Sequence, residues 1–124
     1  MAEENGKKFD LEERLIEFGA LIVELVEELP NNKVGNYIAG QLIRSGLSPA
    51  LNYGEAQSAE SRADFIHKLK IILKELRESF ISLKVIKRLK LTKTPDRLER
   101  VMNETQQLIA ILVKSIKTAQ KNKK

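Results

Sequence analysis

Apolar residues recur every three or four positions along most of this chain, which is the spacing of one face of a helix. No segment shows the strict alternation of apolar and polar residues that indicates a half-buried strand. The pattern therefore predicts an all-α protein with four helices. They run from Asp10 to about Leu29, from about Asn32 to Gln57, from near Ser58–Ser61 to about Leu89, and from Thr94 to about Gln120.

Polar and proline residues mark the ends of the predicted helices. Asp10 and Glu13 have the spacing of a capping box at the first N-terminus. Pro30 ends the first helix, because a proline cannot continue it. Thr94 stands before Pro95, an order typical of an N-cap and a first helical residue.

The loops between these segments are short, so consecutive helices should lie side by side and antiparallel. This predicts an up-down-up-down four-helix bundle. We expect the bundle to span residues 10–120, with a disordered N-terminal tail at 1–9 and a basic C-terminal tail at 121–124.

Pro49 lies inside the second helix, where a proline removes one backbone hydrogen bond. The sequence therefore predicts a kink near Ser45–Gly46. The alternative is two short helices joined by a turn at 46–49. Several glycines lower the helix propensity further, and small residues let another backbone come close. They are Gly35, Gly40, Gly46 and Gly54.

The first and third helices carry more apolar positions than one packing face needs. Ile16 and Val23 fall outside the main apolar stripe of the first helix. Ile81, Val85 and Leu89 widen the apolar surface of the third. Four helices of a single copy cannot hide all of this surface, so we expect copies of the chain to associate into a homo-oligomer, in the form of a ring.

A polar stripe runs along the second helix at helical spacing, and the face opposite to it is narrow. We therefore expect part of the stripe to be buried and its polar groups to be paired. Arg44 should meet Glu75 or Glu78 of the third helix, or a carboxylate of another subunit. The alternative is a ligand pocket lined by Arg44, Asn52 and Glu55. The predicted network between helices or subunits comprises Gln41, Arg44, Ser45, Asn52, Glu55, Glu75 and Glu78.

Charge divides the chain into an acidic half and a basic half. Residues 1–62 have a net charge of −5 and residues 63–124 a net charge of +10. The basic half either attracts the acidic half of another copy, meets a polyanion, or is simply a solvated surface. No interleaved aromatic residues offer base stacking, so binding to RNA or DNA would read backbone or shape. The candidate nucleic-acid-binding residues are Lys84, Lys87, Arg88, Lys90, Lys93, Arg97, Arg100, Lys114, Lys117 and Lys121.

The sequence offers little for catalysis or for a cofactor. A di-metal site in a bundle needs two Glu-x-x-His motifs, whereas this chain has the single histidine His67, with Asp64 three residues before it. There is no P-loop, no glycine-rich dinucleotide fingerprint and no nucleophile elbow. We therefore expect no enzyme activity, metal or cofactor, and the sequence identifies no small-molecule substrate.

The composition also bears on location. The chain has no cysteine, which favours a reducing compartment. Its longest strictly apolar run, Leu108–Val113, is far shorter than the roughly 20 residues that span a bilayer. We expect a cytoplasmic protein that does not enter a membrane.

Several short segments spread over the chain occur together in a known family. They are Leu29-Pro30, Gln41–Ser45, Asn52, Glu55, Asp64–Leu69 and Lys74–Ser79. In combination the chain resembles the small four-helix-bundle proteins encoded in intervening sequences of bacterial 23S ribosomal RNA, from about Phe9 to Thr118. It departs from that family at Gly46, Pro49 and Ala56, where Ala, Ile and Gly are more usual.

The resemblance implies a four-helix bundle, and some members of the family form ring-like pentamers. Accessory proteins of diversity-generating retroelements are similar in fold and work with a reverse transcriptase and nucleic acid. No enzymatic activity is established for the intervening-sequence proteins. The leading hypothesis is a non-enzymatic, oligomeric accessory or scaffold protein that binds RNA or DNA through its basic half. The alternative is a self-assembly module without nucleic-acid binding.

Overall fold

The computed structural model describes residues 10–122, and these fold into four α-helices without a strand. The all-α four-helix bundle is therefore confirmed. The predicted tail at 1–9 and the last two residues of the predicted basic tail lie outside the described residues. The helices are α1 (Leu11–Val26), α2 (Lys33–Gln57), α3 (Arg62–Leu89) and α4 (Pro95–Lys121).

Side-chain contacts show that neighbouring helices run antiparallel. Residue numbers fall on α2 as they rise on α3, from the Glu55–Lys68 ion pair to the Ser45–Ser79 hydrogen bond. The same order holds between α1 and α4, which meet through Arg14–Glu104 at one end and Glu28–Arg97 at the other. These two α1–α4 contacts close the bundle.

The helix ends follow the predicted signals with two differences. Asp10, Asn32 and Ser61 each accept a hydrogen bond from the backbone N–H three residues later, at 3.1, 2.8 and 3.0 Å respectively. Thr94 occupies the predicted N-cap of α4, but its hydroxyl makes no capping hydrogen bond. It donates to the carboxylate of Glu28 instead.

The predicted end of the first helix at Leu29 was wrong, because α1 ends at Val26. The residue before a proline avoids helical angles, and here that residue is Leu29. The preceding residues tighten into turns in which the N–H groups of Glu28 and Leu29 donate to the carbonyl groups three residues earlier, at 3.0 and 3.1 Å.

Helix α2 is continuous through Pro49, so the alternative of two short helices was wrong. Pro49 is buried, and α2 contacts α3 both before it, through Ser45, and after it, through Glu55. The bundle therefore supports α2 on both sides of the hydrogen bond that proline cannot make. The kink near Ser45–Gly46 stays a prediction.

The inward faces of all four helices meet in one apolar core. Its largest fully buried side chains are Phe18, Leu15, Ile22, Leu25, Leu42, Leu69, Ile72, Leu76, Leu83, Ile86, Leu108 and Leu112. Helix α2 approaches α1 closely at Gly46, where an added Cβ would lie 2.7 Å from Cγ2 of Ile22. At Gly40 and Gly54, by contrast, an added Cβ would meet no atom within 4 Å.

Candidate interaction surfaces

The polar stripe of α2 joins α3 through one arginine. Nη1 of Arg44 donates to Glu75 at 2.8 Å, and Nη2 donates to Glu78 at 2.8 Å and to the side-chain oxygen of Gln41 at 3.4 Å. The hydrogen bond from Arg44 lowers the pKa of Glu78, and the same contact raises the pKa of Arg44. Glu75 is buried, whereas the Arg44 side chain is half exposed. Arg44 therefore covers the buried carboxylate of Glu75.

A buried pair of hydroxyls lies beside this cluster. The Oγ atoms of Ser45 and Ser79 are 2.7 Å apart, and both residues are at most 1% exposed. A buried hydroxyl without a partner is costly, so the two serines fix the register of α2 against α3. The sequence did not predict this role of Ser79, because a single serine in a long helix does not indicate which residue of another helix it contacts.

The other members of the predicted network do not join it. Asn52 donates to the carbonyl and the hydroxyl of Ser48 in its own helix, at 3.0 and 2.8 Å, rather than across an interface. Glu55 is exposed and pairs with Lys68 at 2.5 Å. Since Arg44 and Glu55 are separated by eleven residues of one helix, or about 16 Å, the structure does not bring the proposed pocket residues together.

The face of α2 opposite the polar stripe is buried, although it is narrow in apolar residues. Ile38, Leu42, Gly46 and Pro49 all point into the bundle. Glycine and proline add little apolar width, but the missing side chain at Gly46 allows α1 to come close and cover this face. Within the stripe Ser45 is buried, and Arg44 remains at the surface.

The ten candidate basic residues separate into two groups. Seven lie at the end of the bundle that holds the α3–α4 loop, and Lys114, Lys117 and Lys121 lie toward the opposite end. Along α4, Arg100 and Lys114 are fourteen residues apart, which corresponds to about 21 Å. The structure therefore does not bring all ten residues into one surface.

Two of the seven residues at the loop end are neutralised by ion pairs. Lys87 contacts Glu99 at 2.6 Å, and Arg97 contacts Glu28. The other five form no ion pair within residues 10–122, and we call them the loop-end cations. They are Lys84, Arg88, Lys90, Lys93 and Arg100; Nζ of Lys84 also lies 5.3 Å from the ring centroid of Phe80.

Lys90 has an unusual backbone conformation. It follows α3 with φ 57° and ψ 48°, and it is the one non-glycine residue with a positive φ among residues 10–122. Its N–H donates to the carbonyl of Lys87 at 3.2 Å, and the N–H of Leu91 donates to Ile86 at 3.1 Å. Glycine is the usual residue in this position, because a Cβ there is unfavourable by about 1–2 kcal/mol.

A cluster around Glu28 joins the end of α1 to the α3–α4 loop. The carboxylate accepts hydrogen bonds from Thr92 at 3.0 Å, from Thr94 and from Arg97. The hydrogen bond from Thr94, helped by Thr92 and Arg97, lowers the pKa of Glu28. The sequence gives no signal of this cluster, since Glu28 lies more than sixty residues before each of its three partners.

The described residues provide neither a membrane span nor a metal cluster. None of the four helices is long and apolar enough to cross a bilayer. Across residues 10–122, no three His, Asp or Glu side chains are grouped so that they could hold a metal ion. The single histidine, His67, is exposed on α3.

Comparison with solved structures finds a protein of unknown function from Bacteroides thetaiotaomicron, described as a member of the S23 ribosomal protein family. The two chains are 34% identical, with a TM-score of 0.78, and the likeness covers 87% of this chain and 99% of the other. No curated protein matches. A comparison with family models matches residues 7–114 to the 23S rRNA-intervening sequence proteins. This chain is therefore a member of the 23S rRNA-intervening sequence protein family.

Proposed function

We propose that the protein is a non-enzymatic, oligomeric accessory or scaffold protein that binds RNA or DNA. The observation that carries the proposal is the group of five loop-end cations, which have no carboxylate partner within residues 10–122. Unpaired cations held near one another on a rigid bundle attract phosphates, and each contact releases counterions. The family name, which links these proteins to 23S rRNA, also supports binding to a nucleic acid.

The backbone at Lys90 adds support. A lysine stands where glycine would relieve strain, next to Arg88 and close to Lys93 in sequence. Strain that persists at one position is often linked to function. A role for the positive charge in nucleic-acid binding would explain why lysine, rather than glycine, occupies this position of the α3–α4 loop.

Association of copies would strengthen such binding. Each added subunit brings further loop-end cations, and those that stay exposed in a ring would form one extended positive surface. Binding to several phosphates at once raises the overall affinity beyond that of one subunit. Because the cations contact phosphate rather than base edges, this surface would recognise backbone or shape.

A salt titration with matched variants tests the proposal. The probes are duplex DNA and a 23S rRNA fragment. Wild-type affinity should fall steeply between 50 and 200 mM salt, on the order of 10³-fold or more if six phosphates are contacted. In the variant Lys90→Gln/Lys93→Gln/Arg100→Gln, the slope of log K against log salt on duplex DNA should become shallower by about 0.9 for each lost contact.

Two control variants remove positive charge elsewhere. Lys114→Gln/Lys117→Gln/Lys121→Gln loses three charges at the opposite end of the bundle, and Arg44→Ala loses one at the α2–α3 contact. Both should keep the wild-type slope. Equal effects of the two triple variants would show that net charge alone matters, which contradicts a site at the loop end.

The second candidate function is a self-assembly module that does not bind nucleic acid. It is favoured by the acidic outer side of α1, which matches the loop-end cations in opposite charge and offers them a protein partner. If micromolar wild-type protein shifts neither probe at low salt, this second function replaces the first.

A further inference from the structure

We infer that copies of this chain dock head to tail, with an acidic apolar patch on α1 and α2 of one copy against a basic apolar groove on α3 of the next. The inference rests on the proposed self-association and identifies the two surfaces that would carry it. Both surfaces are visible in a single copy.

The first surface, called here the α1–α2 patch, consists of Ile16, Ala20 and Val23 of α1 with Ile43, Leu47 and Leu51 of α2. Ile16, Ile43, Leu47 and Leu51 are 47%, 42%, 39% and 69% exposed. The two halves are adjacent because an added Cβ at Gly19 would lie 3.0 Å from Leu47 and 3.3 Å from the carbonyl oxygen of Gly46.

Acidic residues line the α1 side of this patch. Helical spacing places four glutamates along the outer edge of α1, next to Ile16, Ala20 and Val23. None of the four forms an ion pair within residues 10–122. They are Glu13, Glu17, Glu24 and Glu27.

The second surface, called here the α3 groove, is lined by Ile81, Val85 and Leu89 together with Lys84 and Arg88, and its volume is about 310 Å³. Ile81 is 58% exposed and Leu89 is 53% exposed. Two of its five lining residues are loop-end cations, so the groove has a basic edge as well as an apolar floor.

Helix α2 extends this apolar surface. Tyr37 lies seven residues before Arg44, on the stripe that faces α3, and is 69% exposed. Since Arg44 meets Glu78 and numbers rise on α3 as they fall on α2, Tyr37 lies beside Val85. Val34, which is 47% exposed, lies one turn further toward Leu89.

These two surfaces account for all nine large apolar side chains that are substantially exposed within residues 10–122. Exposed apolar patches of this kind mark interaction sites. The edges carry opposite charges, so contact between the α1–α2 patch and the α3 groove pairs them. If the α1–α2 patch met the same patch of another copy, or the α3 groove met another α3 groove, like charges would face each other, which is unfavourable.

Gly40 and Gly54 give a second reason to expect that another copy of the chain packs against the α1–α2 patch. Both lie in the interior of α2 on its outer side, where glycine lowers helix stability. Neither position is crowded within the subunit, because an added Cβ would meet nothing within 4 Å. Small residues beside Leu47 and Leu51 allow another helix to approach closely.

Because the two surfaces differ, the contact is heterologous, and each docked pair still presents one free surface of each kind. Such a contact ends in a closed ring or continues into a filament. The patch and the groove lie on neighbouring sides of the bundle, which turns each copy relative to the last and favours a ring. Lys84 and Arg88 then face glutamates of a neighbouring copy, whereas Lys90, Lys93 and Arg100 stay exposed and can contact the phosphates of a nucleic acid.

Charge reversal on each surface tests the pairing. Sedimentation would be measured for wild type, Glu17→Lys/Glu24→Lys, Lys84→Glu/Arg88→Glu, and the chain that carries all four changes. Each double variant should associate at least about tenfold more weakly than wild type, and the fourfold variant should recover association because both edges have changed sign. Thermal unfolding of each variant would check that the bundle is folded.

The outcomes separate this inference from the proposed function. If wild type is a single subunit at high concentration, self-association itself fails. If wild type forms oligomers but the fourfold variant stays as weak as the double variants, the pairing of these two surfaces is overturned and the proposed function is unaffected.

A glycine variant supplies an independent test. Gly40→Ala/Gly54→Ala should make the isolated subunit harder to unfold in urea, since alanine favours helix. The same variant should associate more weakly, because two methyl groups enter the contact. Wild-type association of this variant would contradict a close approach at the α1–α2 patch.

Discussion

The approach of α2 to α1 at Gly46 leads to a quantitative prediction for Gly46→Ala. The new Cβ would lie 2.7 Å from Cγ2 of Ile22 and 3.0 Å from its Cβ and Cγ1. Ile22 is fully buried. Its branch point is attached directly to the backbone of α1, so the contact cannot be relieved by moving the end of a flexible side chain.

Two opposing effects set the size of the change. Alanine is favoured over glycine in a helix interior by about 1 kcal/mol. Overpacking a core costs typically about 1–3 kcal/mol, and the upper part of that range applies because the helices must separate. We therefore expect Gly46→Ala to lower the free energy of unfolding by about 1–2 kcal/mol.

Urea unfolding at several protein concentrations measures this change and separates subunit stability from association. Gly40→Ala is the matched control in the same helix, since its Cβ would meet nothing within 4 Å. This control should raise subunit stability by up to about 1 kcal/mol. The same substitution thus has opposite signs at two positions of α2.

A double-mutant cycle isolates the contact itself. Ile22→Ala alone should cost about 2–5 kcal/mol as a core truncation. With Gly46→Ala added, the total loss should be smaller than the sum of the single losses by about 1 kcal/mol or more. Additive losses, or a Gly46→Ala variant as stable as wild type, would refute the close packing of α1 on α2.

Three further predictions concern polar groups. Ser45→Ala and Ser79→Ala should each cost about 1–2 kcal/mol in urea unfolding by leaving one buried hydroxyl unpaired, whereas the double variant should cost less than their sum. Glu28→Gln should be less stable than wild type at neutral pH by about 1 kcal/mol. Because hydrogen bonds lower the pKa of Glu28 below its ordinary 4.5, the carboxylate stabilises the fold above that pH, and the difference between the two proteins should shrink as pH falls below it. A difference in unfolding free energy that does not change with pH would contradict the role of the charge. Lys90→Gly should raise the melting temperature, because glycine relieves about 1–2 kcal/mol of backbone strain, and should weaken binding to duplex DNA at low salt; unchanged binding would remove Lys90 from the proposed site.

The helices were predictable because each has a regular apolar face, and the core residues of that face, such as Phe18 and Leu112, occur where the period places them. The sequence named Glu75 and Glu78 as possible partners of Arg44, beside a carboxylate of another subunit, because the adjacent antiparallel helix offers acidic groups at matching height, and Arg44 contacts both. Periodicity identifies the inner side of a helix and limits which neighbours it can meet.

The remaining features depend on contacts that periodicity does not contain. Glu28 meets Thr92 and Thr94 only because the bundle brings its first and last loops together. Composition suggested one basic half, but helix length places Arg100 and Lys114 far apart. The inward orientation of the narrow face of α2 followed from how closely α1 approaches, which the sequence does not state.

The antiparallel closure of α1 onto α4 has a consequence for the order in which the molecule folds. Arg14 and Glu104 are separated by ninety residues, so this contact closes a loop that contains most of the chain. Closing such a loop loses the most chain entropy when the intervening segments are still unfolded, and the least when α2 and α3 have already joined their neighbours. The seam between the terminal helices should therefore form last and open first, and native-state amide hydrogen exchange should be fastest near this seam.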